Sequence, residues 1–456
     1  MILEKNRATY LILVVALFSA IYNIFIPLHG DEAYYWVWSN NLQGGYYDHA
    51  PLVAYFINFF TFFSESEFFI RLTNVFCMSI SAFYIYKIAY EFFDKQVATY
   101  ALLIFFSVPL VHAGMIITTP DSPLILFWTL SLYFTLKAIN DKKTIYYVLT
   151  GIALGLAMLS KYTAILLVFS ILLYFILAHK DQFKNRNFYL TIVIAVIVVS
   201  PMIYWNYQND WISFLFQLQH GGMDNTTIDL NYTLEYLGGQ FGVFTPVFFV
   251  LALMASFSKE IRENKNAKLL LIAYLLPFLF FMYKSLYARM EVNYAAPAYI
   301  SASLIVAYYV SKANLQKAFK IGLILSITLT LVARFAFMFY LVYVQDRMVG
   351  FKESIAILEK HRESNDSFYG NHLTTTALLN YYLSDQPTTN LAINSRFSQY
   401  DMWKKPLKKG LVLSYEDIKS SLNTNFNNVK EVDSYGLYKG EKLFKTFHIY
   451  RVSEPK

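Results

Sequence analysis

The chain has 456 residues, of which 56% are hydrophobic, 19% aromatic and only 15% charged. A soluble protein carries roughly a quarter charged residues, so this composition excludes an ordinary soluble enzyme and indicates a polytopic membrane protein. The formal net charge of +7 does not point to nucleic acid, because 16 of the 38 Lys and Arg residues fall in the short loops of one membrane face. The single cysteine, Cys77, excludes an intrachain disulfide and a cysteine-rich metal site.

Apolar segments approach the length of about twenty residues that a bilayer span requires. They lie at about 10–28, 68–90, 97–114, 121–138, 145–160, 162–178, 188–205, 236–257, 268–284, 293–310 and 321–344. The first segment lacks a small-residue cleavage site, so we interpret it as an uncleaved first helix. The fifth and sixth meet at Lys161 and could form one helix, so the count can change by one or two. We predict about 11 transmembrane helices, with an upper limit of 13.

Basic residues predict the orientation of these spans. Sixteen Lys and Arg residues fall in one set of short loops, whereas the other set holds only Lys161, Lys284 and Arg289. By the positive-inside rule, the N-terminus lies in the cytoplasm and the loops 29–67, 113–120 and 206–235 lie outside. The same bias favours a break at Lys161, because one uninterrupted helix there would invert every later loop.

The composition changes after Tyr343, where the chain becomes polar and has no further long apolar run. Short strands are predicted at Gly410–Ser414 and Thr446–Arg451, and a helix at Ser354–Lys360. The predicted fold class is therefore an α-helical polytopic membrane protein with a small C-terminal extracytoplasmic α/β domain. Its membrane domain covers residues 1–344, with outer loops 29–67 and 206–235, and the soluble domain covers residues 345–456.

The first outer loop contains acids but no Lys or Arg. Asp31 and Glu32 follow the first span directly and precede an aromatic run that includes Tyr34 and Tyr35, which is typical of a helix lying at the bilayer interface. An acid at that depth is costly unless it is paired or used. Further along the loop, the adjacent Asp48 and His49 suit a divalent metal, a phosphate contact or a plain surface turn.

Other candidates fall on the same predicted face. Asp121, between Pro120 and Pro123, reads either as a helix N-cap or as an acid held at the bilayer surface. Lys161 could extend to the interface or bind an anion. The amide-rich and aromatic loop 205–220 ends at His220, and the last outer loop holds Arg289 and Asn293. Acids, isolated cations and aromatics on one face suit a lipid-linked substrate that carries a phosphate.

Five of these segments, in this order, resemble those of polyprenyl-phosphate-sugar-dependent glycosyltransferases of the GT-C fold. The similarity is to the branch that includes protein O-mannosyltransferases and the lipid A aminoarabinose transferase, the glycosyltransferase family 39 and 83 type. It covers roughly the first half of the chain and does not include the C-terminal domain. The segments are Asp31–Trp36, Tyr47–Leu52, Thr119–Leu124, Gly155–Lys161 and Trp205–His220.

The resemblance implies a role for each matched residue. Asp31 corresponds to the acid that acts at the acceptor, most simply as general base, and Asp121 to an acid that supports this catalytic site. Lys161 corresponds to a lysine near the donor phosphate. The remaining residues that we expect to contact substrate are Glu32, Tyr34, Tyr35, His49, Arg289 and Asn293.

The resemblance also implies a possible metal and shows one departure from the family pattern. Asp48 and His49 stand where aminoarabinose transferases have a Glu-Lys pair, and His220 aligns near a histidine that ligates their metal. Histidine in place of the lysine removes a phosphate contact and makes a divalent metal on Asp48, His49 and His220 conceivable. The missing phosphate charge would then be met by Lys161, Lys284 or Arg289.

The predicted function is an inverting glycosyltransferase in the bacterial inner membrane, with a periplasmic active site and a role in the cell envelope, such as lipopolysaccharide modification. Its partners would be a polyprenyl-phosphate sugar, a lipid A, glycan or protein acceptor and membrane lipids, with no nucleic acid. The alternative is a transporter or flippase for a lipid-linked sugar, although the internal repeat typical of transporters is not seen. The enzyme reading requires Asp31, Asp121, Lys161 and His220 to face one cavity at the outer surface.

Overall fold

The computed structural model describes residues 2–220, 227–339, 347–383, 390–393, 396–403 and 405–456. The described chain forms two compact units. The first contains residues 1–25, 43–45 and 49–339, and the second contains residues 26–42, 46–48 and 340–456. The predicted boundary near residue 344 lies outside the described residues, and the second unit also includes part of the first outer loop.

Among the described residues up to Met338, all the regular structure is helical. In chain order they are α1 (Ile2–Asn23), α2 (Gly30–Ser39), α3 (Leu52–Phe60), α4 (Glu67–Phe92), α5 (Lys95–Ser107), α6 (Pro109–Gly114), α7 (Asp121–Asp141), α8 (Thr144–Ser160), α9 (Ile165–Ala178), α10 (Arg186–Gln208), α11 (Ile212–His220), α12 (Leu230–Val243), α13 (Pro246–Phe257), α14 (Lys259–Glu263), α15 (Lys265–Lys284), α16 (Ala298–Lys312) and α17 (Gln316–Met338). Short 3₁₀ turns lie at Tyr162–Ala164, Lys180–Lys184 and Val292–Ala295.

Within the described residues, five helices are long and apolar enough to span a membrane: α4, α7, α10, α15 and α17. The count becomes six if α12 and α13 form one broken span, and three shorter apolar helices lie at Arg7–Asn23, Thr144–Ser160 and Tyr162–Ala178. The predicted polytopic membrane class is confirmed, while the count of eleven stays a prediction. In the apolar stretch of α7, 78% of the residues are buried, against 22% in α10 and α17, so α7 lies in the helical core and the other two present apolar side chains outward.

Two predicted spans are wrong as single straight helices. The segment 236–257 divides into α12 and α13, whose axes differ by 106°. The break falls at Thr245, which has φ of 65°, directly before Pro246. Proline has no N–H for the helical ladder and disfavours helical backbone at the preceding residue, which explains the bend. The segment 97–114 likewise breaks before Pro109, the first residue of α6.

The second unit combines α2 with the C-terminal residues. Its remaining elements are α18 (Phe351–Lys360), β1 (Ser367–Gly370), α19 (Leu373–Tyr382), β2 (Asn390–Ala392), α20 (Gln399–Met402), β3 (Gly410–Ser414), α21 (Lys419–Asn425), β4 (Phe426–Lys439) and β5 (Lys442–Pro455). The sheet order is β2-β1-β3-β5-β4, with β1 parallel to β2 and β3, and β5 antiparallel to β3 and β4. The predicted α/β domain, its two strands and its helix are confirmed.

A close contact joins α2 to α19 within the second unit. A Cβ atom added to Gly30 would lie 2.5 Å from Cβ of Thr374, much closer than real Cβ atoms approach. We therefore expect Gly30→Ala to lower the free energy of unfolding by about 1–3 kcal/mol, the usual cost of overpacking. Thermal unfolding of the purified protein measures this effect.

The matched control is Gly242→Ala in α12, where an added Cβ has open space around it. Alanine has a higher helix propensity than glycine, so this control should leave the unfolding temperature unchanged or raise it. Equal unfolding temperatures for the Gly30 variant and the wild type would contradict the close packing of α2 on α19.

Candidate active site

Asp121 begins α7, and both of its carboxylate oxygens accept hydrogen bonds. Lys161 Nζ donates to Oδ1 at 2.8 Å and Asn293 Nδ2 donates to Oδ2 at 2.8 Å. The side chains of Asp121 and Lys161 are each only 10% exposed. Pro120 takes the N-cap position, so the N-cap reading of Asp121 is wrong, because the carboxylate makes no capping hydrogen bond. Asp121 instead brings three predicted site residues together within the first unit.

Lys161 is held inward by its backbone as well as by its ion pair. It is extended, with φ of −159° and ψ of 139°, and separates α8 from the 3₁₀ turn that leads into α9. The break predicted at this residue is therefore present. Its ammonium lies 5.4 Å from the centre of the Tyr294 ring, a distance suited to a cation–π contact. The interfacial alternative for Lys161 is wrong, since the charge is buried against an acid and a ring.

Arg289 does not join this cluster. Its Nε lies 3.0 Å from Glu235 Oε2, and the two side chains are 73% and 53% exposed. An exposed pair of this kind contributes little to stability because water screens it. The structure thus places Arg289 at the surface of the first unit, whereas Asn293 reaches the buried carboxylate of Asp121.

Asp31 lies in the first turn of α2, where a capping box fixes the chain. Asp31 N–H donates to His29 Nδ1 at 3.1 Å, and His29 N–H donates to Glu32 Oε2 at 2.9 Å. Glu32 was predicted to contact substrate. In the structure it is fully buried, and its carboxylate caps the N-terminus of α2. The same His29 Nδ1 that accepts the hydrogen bond from Asp31 N–H lies 3.7 Å from Asp31 Oδ2. The Asp31 side chain is 35% exposed, and Arg347 Nη1 lies 3.8 Å from its Oδ2.

Asp48 sits in a buried network within the second unit. Tyr34 Oη donates to Asp48 Oδ2 at 2.7 Å, and Arg396 Nη2 lies 2.6 Å from Oδ1. Gln399 N–H donates to Tyr34 Oη at 2.8 Å, and Tyr47 N–H donates to Gln399 Oε1 at 2.8 Å. Burial raises the pKa of Asp48, and the Arg396 guanidinium opposes that rise. Tyr34 therefore positions Asp48.

Tyr35 is one of the aromatic residues predicted to contact substrate. Its side chain is buried, with only 7% of the residue exposed. Its ring packs edge-on against Trp38, with the ring centres 5.0 Å apart. In this structure Tyr35 belongs to the packing of α2.

The predicted metal set has no completed site in the part of the chain that the structure describes. No group of three or more His, Cys, Asp or Glu side chains there is placed to hold a metal ion. Asp48 already contacts Tyr34 and Arg396, while His49 is half-buried in the first unit, and the side chain of His220 lies outside the described residues. The metal stays a prediction, and none of the chemistry below is routed through one.

The sequence analysis missed three charged or titratable residues of the C-terminal part. Arg347 lies near Asp31, and Arg396 pairs with Asp48. His372, the N-cap of α19, has its pKa lowered mainly by burial and then by Arg347 and Arg396. No local sequence motif marks these three residues. One indirect signal is present in the sequence: position 49 is a histidine where aminoarabinose transferases have a lysine, so the positive charge has to come from another part of the chain.

The sequence of this chain is similar to those of several known sugar transferases. The family described as dolichyl-phosphate-mannose-protein mannosyltransferase matches residues 48–205. Lipid A galacturonosyltransferase RgtD of Rhizobium johnstonii is 24% identical over 310 residues, which are 67% of this chain and 64% of RgtD. The undecaprenyl phosphate-alpha-4-amino-4-deoxy-L-arabinose arabinosyl transferase of Serratia proteamaculans is 28% identical over 242 residues, 45% of this chain and 43% of that protein. The chain thus spans less than two thirds of either curated relative.

Solved structures decide the fold. ArnT from Cupriavidus metallidurans in the apo state superposes with a TM-score of 0.70 at 13% identity, covering 97% of both chains. The chain has the GT-C fold. The archaeal oligosaccharyltransferase AglB from Archaeoglobus fulgidus is a more distant neighbour, with a TM-score of 0.53 at 11% identity, covering 90% of this chain and 70% of AglB. The predicted resemblance to GT-C glycosyltransferases is confirmed, and this GT-C protein is a multi-pass protein of the bacterial inner membrane.

This GT-C protein brings the predicted site residues together in two separate groups. Asp121, Lys161 and Asn293 form one group in the first unit. Asp31 and Asp48 belong to the second unit, each beside an arginine. The shared cavity predicted for Asp31, Asp121, Lys161 and His220 stays a prediction.

Proposed function

We propose that this protein moves a sugar from a polyprenyl-phosphate donor to an acceptor at the outer face of the membrane, with inversion at the anomeric carbon. The two curated relatives are named as sugar transferases, and a second ArnT structure, with a TM-score of 0.68, is bound to undecaprenyl phosphate. Lipid A is the acceptor that the name of the first relative supports. A glycan or a protein hydroxyl remains a further acceptor class for the same chemistry.

The proposal rests on the contacts and the solvent exposure of the three candidate acids, Asp31, Asp48 and Asp121. Asp121 has both oxygens occupied by Lys161 and Asn293. Asp48 is 2% exposed and contacts Tyr34 and Arg396. Asp31 differs from these two acids, because its side chain is 35% exposed. Its contact with Arg347 is also loose, at 3.8 Å. It is therefore the acid that an incoming acceptor can reach.

The proposed mechanism follows from the leaving group. Polyprenyl phosphate departs with its charge on phosphate oxygens, so nearby cations stabilise the transition state. The carboxylate of Asp31 removes the proton of the acceptor hydroxyl as the new bond forms. Asp121 acts as a positioning residue, because it fixes Lys161 and Asn293. If the acceptor is itself a phosphate, Asp31 mainly orients it.

The proposed orientation places the N-terminus in the cytoplasm and the C-terminal domain in the periplasm. It rests on the excess of Lys and Arg in the loops assigned to the inner face. Under this orientation Asp31 follows the first span at its outer end. The acceptor would then be met after it has crossed the inner membrane.

Purified protein in liposomes distinguishes transfer from transport. The liposomes contain a polyprenyl-phosphate sugar labelled in the sugar, together with lipid A. We expect free polyprenyl phosphate and labelled lipid A to appear together in equal amounts. Movement of intact sugar lipid between the leaflets, with no release of polyprenyl phosphate, would instead support the flippase and overturn the proposal.

A further inference from the structure

Two arginines of the C-terminal part stand beside the acids of α2 and the loop that follows it. Arg396 Nη2 lies 2.6 Å from Asp48 Oδ1, and Arg347 Nη1 lies 3.8 Å from Asp31 Oδ2. All four residues belong to the second unit. The resemblance from sequence had assigned the phosphate charge to residues of the membrane domain, so neither arginine was a candidate.

Both guanidinium groups remain open to solvent although they sit beside acids. The Arg396 side chain is 46% exposed, while that of its partner Asp48 is only 3% exposed. The Arg347 side chain is 56% exposed, and its 3.8 Å separation from Asp31 is longer than a hydrogen bond. Arg396 Nη1 also donates to the Phe397 carbonyl oxygen at 3.2 Å. Each guanidinium group is therefore partly exposed to solvent while it stands beside an acid.

The position of Arg396 is fixed by the hydrogen bonds behind it. Asp48 receives the Tyr34 hydroxyl at 2.7 Å, and that hydroxyl accepts the Gln399 N–H at 2.8 Å. Gln399 lies three residues after Arg396, at the start of α20. A guanidinium anchored in this way loses little freedom when it binds a ligand, which favours affinity.

His372 connects the two arginines electrostatically. Arg347 and Arg396 both lower its pKa, and Asp31 raises it, while burial is the largest cause of the net lowering. The charges of both arginines and of Asp31 thus act on the same histidine. His372 Nδ1 faces the Thr374 hydroxyl at 3.1 Å.

We propose that Arg347 and Arg396 form a site for the phosphate of a lipid-linked substrate, next to Asp31. The planar guanidinium offers paired N–H donors that match the oxygens of a phosphate, which is why arginine is common at phosphate sites. Such a site supplies the positive charge that is missing at position 49, where a histidine replaces the lysine of aminoarabinose transferases. The inference rests on the proposed function and adds that the C-terminal domain supplies part of the substrate site.

The test measures binding of undecaprenyl phosphate and of the uncharged polyprenol to the purified full-length protein. We expect Arg347→Gln and Arg396→Gln each to weaken undecaprenyl phosphate binding by about 10- to 100-fold, the loss expected for one hydrogen bond to a charged group. Polyprenol binding should not change. Arg396→Lys keeps the charge beside Asp48 and should recover part of the affinity.

Two further measurements control for folding and for charge. Arg396→Gln leaves Asp48 buried without its cation, so its unfolding temperature is compared with that of Arg347→Gln, which removes only the loose and exposed pair. Lys409→Gln removes an exposed positive charge of the same unit, whose partner is Glu363 at 3.6 Å, and should bind undecaprenyl phosphate as the wild type does.

The outcomes distinguish the donor phosphate from an acceptor phosphate. They also distinguish a failure of this inference from a failure of the proposed function. A raised KM for the sugar donor assigns the site to the donor phosphate, and a raised KM for a phosphorylated acceptor assigns it to the acceptor. Undecaprenyl phosphate affinity and both KM values within twofold of the wild type in both glutamine variants would overturn this inference alone. Failure of the wild type to bind undecaprenyl phosphate at all would overturn the proposed function as well.

Discussion

Asp31→Asn should lower kcat for sugar transfer by about 100-fold or more while the protein stays folded. A positioned general base typically contributes 10²–10⁴-fold, and asparagine keeps the shape of the side chain without its basic oxygen. Fold is preserved because the capping of α2 uses the Asp31 backbone N–H and not its carboxylate. Initial rates of polyprenyl phosphate release, at saturating donor and acceptor, measure the effect.

Glu65→Gln is the matched control for this substitution. Glu65 is an exposed acid later in the same outer loop, and no part of the proposed mechanism uses it. Its rate should equal that of the wild type. If Asp31→Asn keeps both kcat and the KM for acceptor within threefold of the wild type, Asp31 is neither the base nor the group that orients the acceptor.

Lys161→Met should destabilise the protein by about 3–5 kcal/mol, and it should also abolish transfer. Removing one partner of a buried pair leaves the other charge without compensation, which is the costly case. Without Lys161, the Asp121 carboxylate would lose its positively charged partner and retain the hydrogen bond from the Asn293 amide at 2.8 Å. Its side chain is only 10% exposed, so water compensates little of the lost charge. The shift of the thermal unfolding midpoint measures the loss of stability.

A double-mutant cycle separates the ion pair from packing effects. Asp121→Leu combined with Lys161→Met removes both charges, so the double variant should be less destabilised than the sum of the two single variants. Lys259→Met is the control, because Lys259 and Glu263 form an exposed pair at 3.8 Å, with side chains 81% and 68% exposed. Additive effects of the two buried substitutions would contradict a coupled pair at Asp121 and Lys161.

Local patterns predicted the helices and the domain class well. Span segments are visible because apolar length and charge placement are local properties, and the break at Lys161 was marked by a single charge between two apolar runs. The bend at Thr245 also had a local sign, Pro246, that was available but not used. Strands β3 and β5 contain the two short segments that were predicted as strands in a polar region.

Tertiary pairing could be predicted only in part. The acid at 121 and the lysine at 161 were both candidates, but their direct contact across 40 residues depends on how α7 and α8 pack. The contact of Asp48 with Arg396 joins positions far apart in the chain, and no periodicity or spacing encodes it. Likewise, the residues around Asp31 suggested an interfacial helix, whereas the structure packs α2 with the C-terminal residues in one unit.

The central claim is that the chain consumes a polyprenyl-phosphate sugar to modify an acceptor outside the inner membrane. Mass spectrometry of envelope lipids and glycans tests it most directly, in cells that lack the protein and in the same cells supplied with the wild type or with Asp31→Asn. We expect one acceptor, such as lipid A, to lose the mass of one sugar and the donor lipid to accumulate, with recovery only by the wild type. Unchanged acceptors and an unchanged donor pool in the cells that lack the protein would contradict the claim.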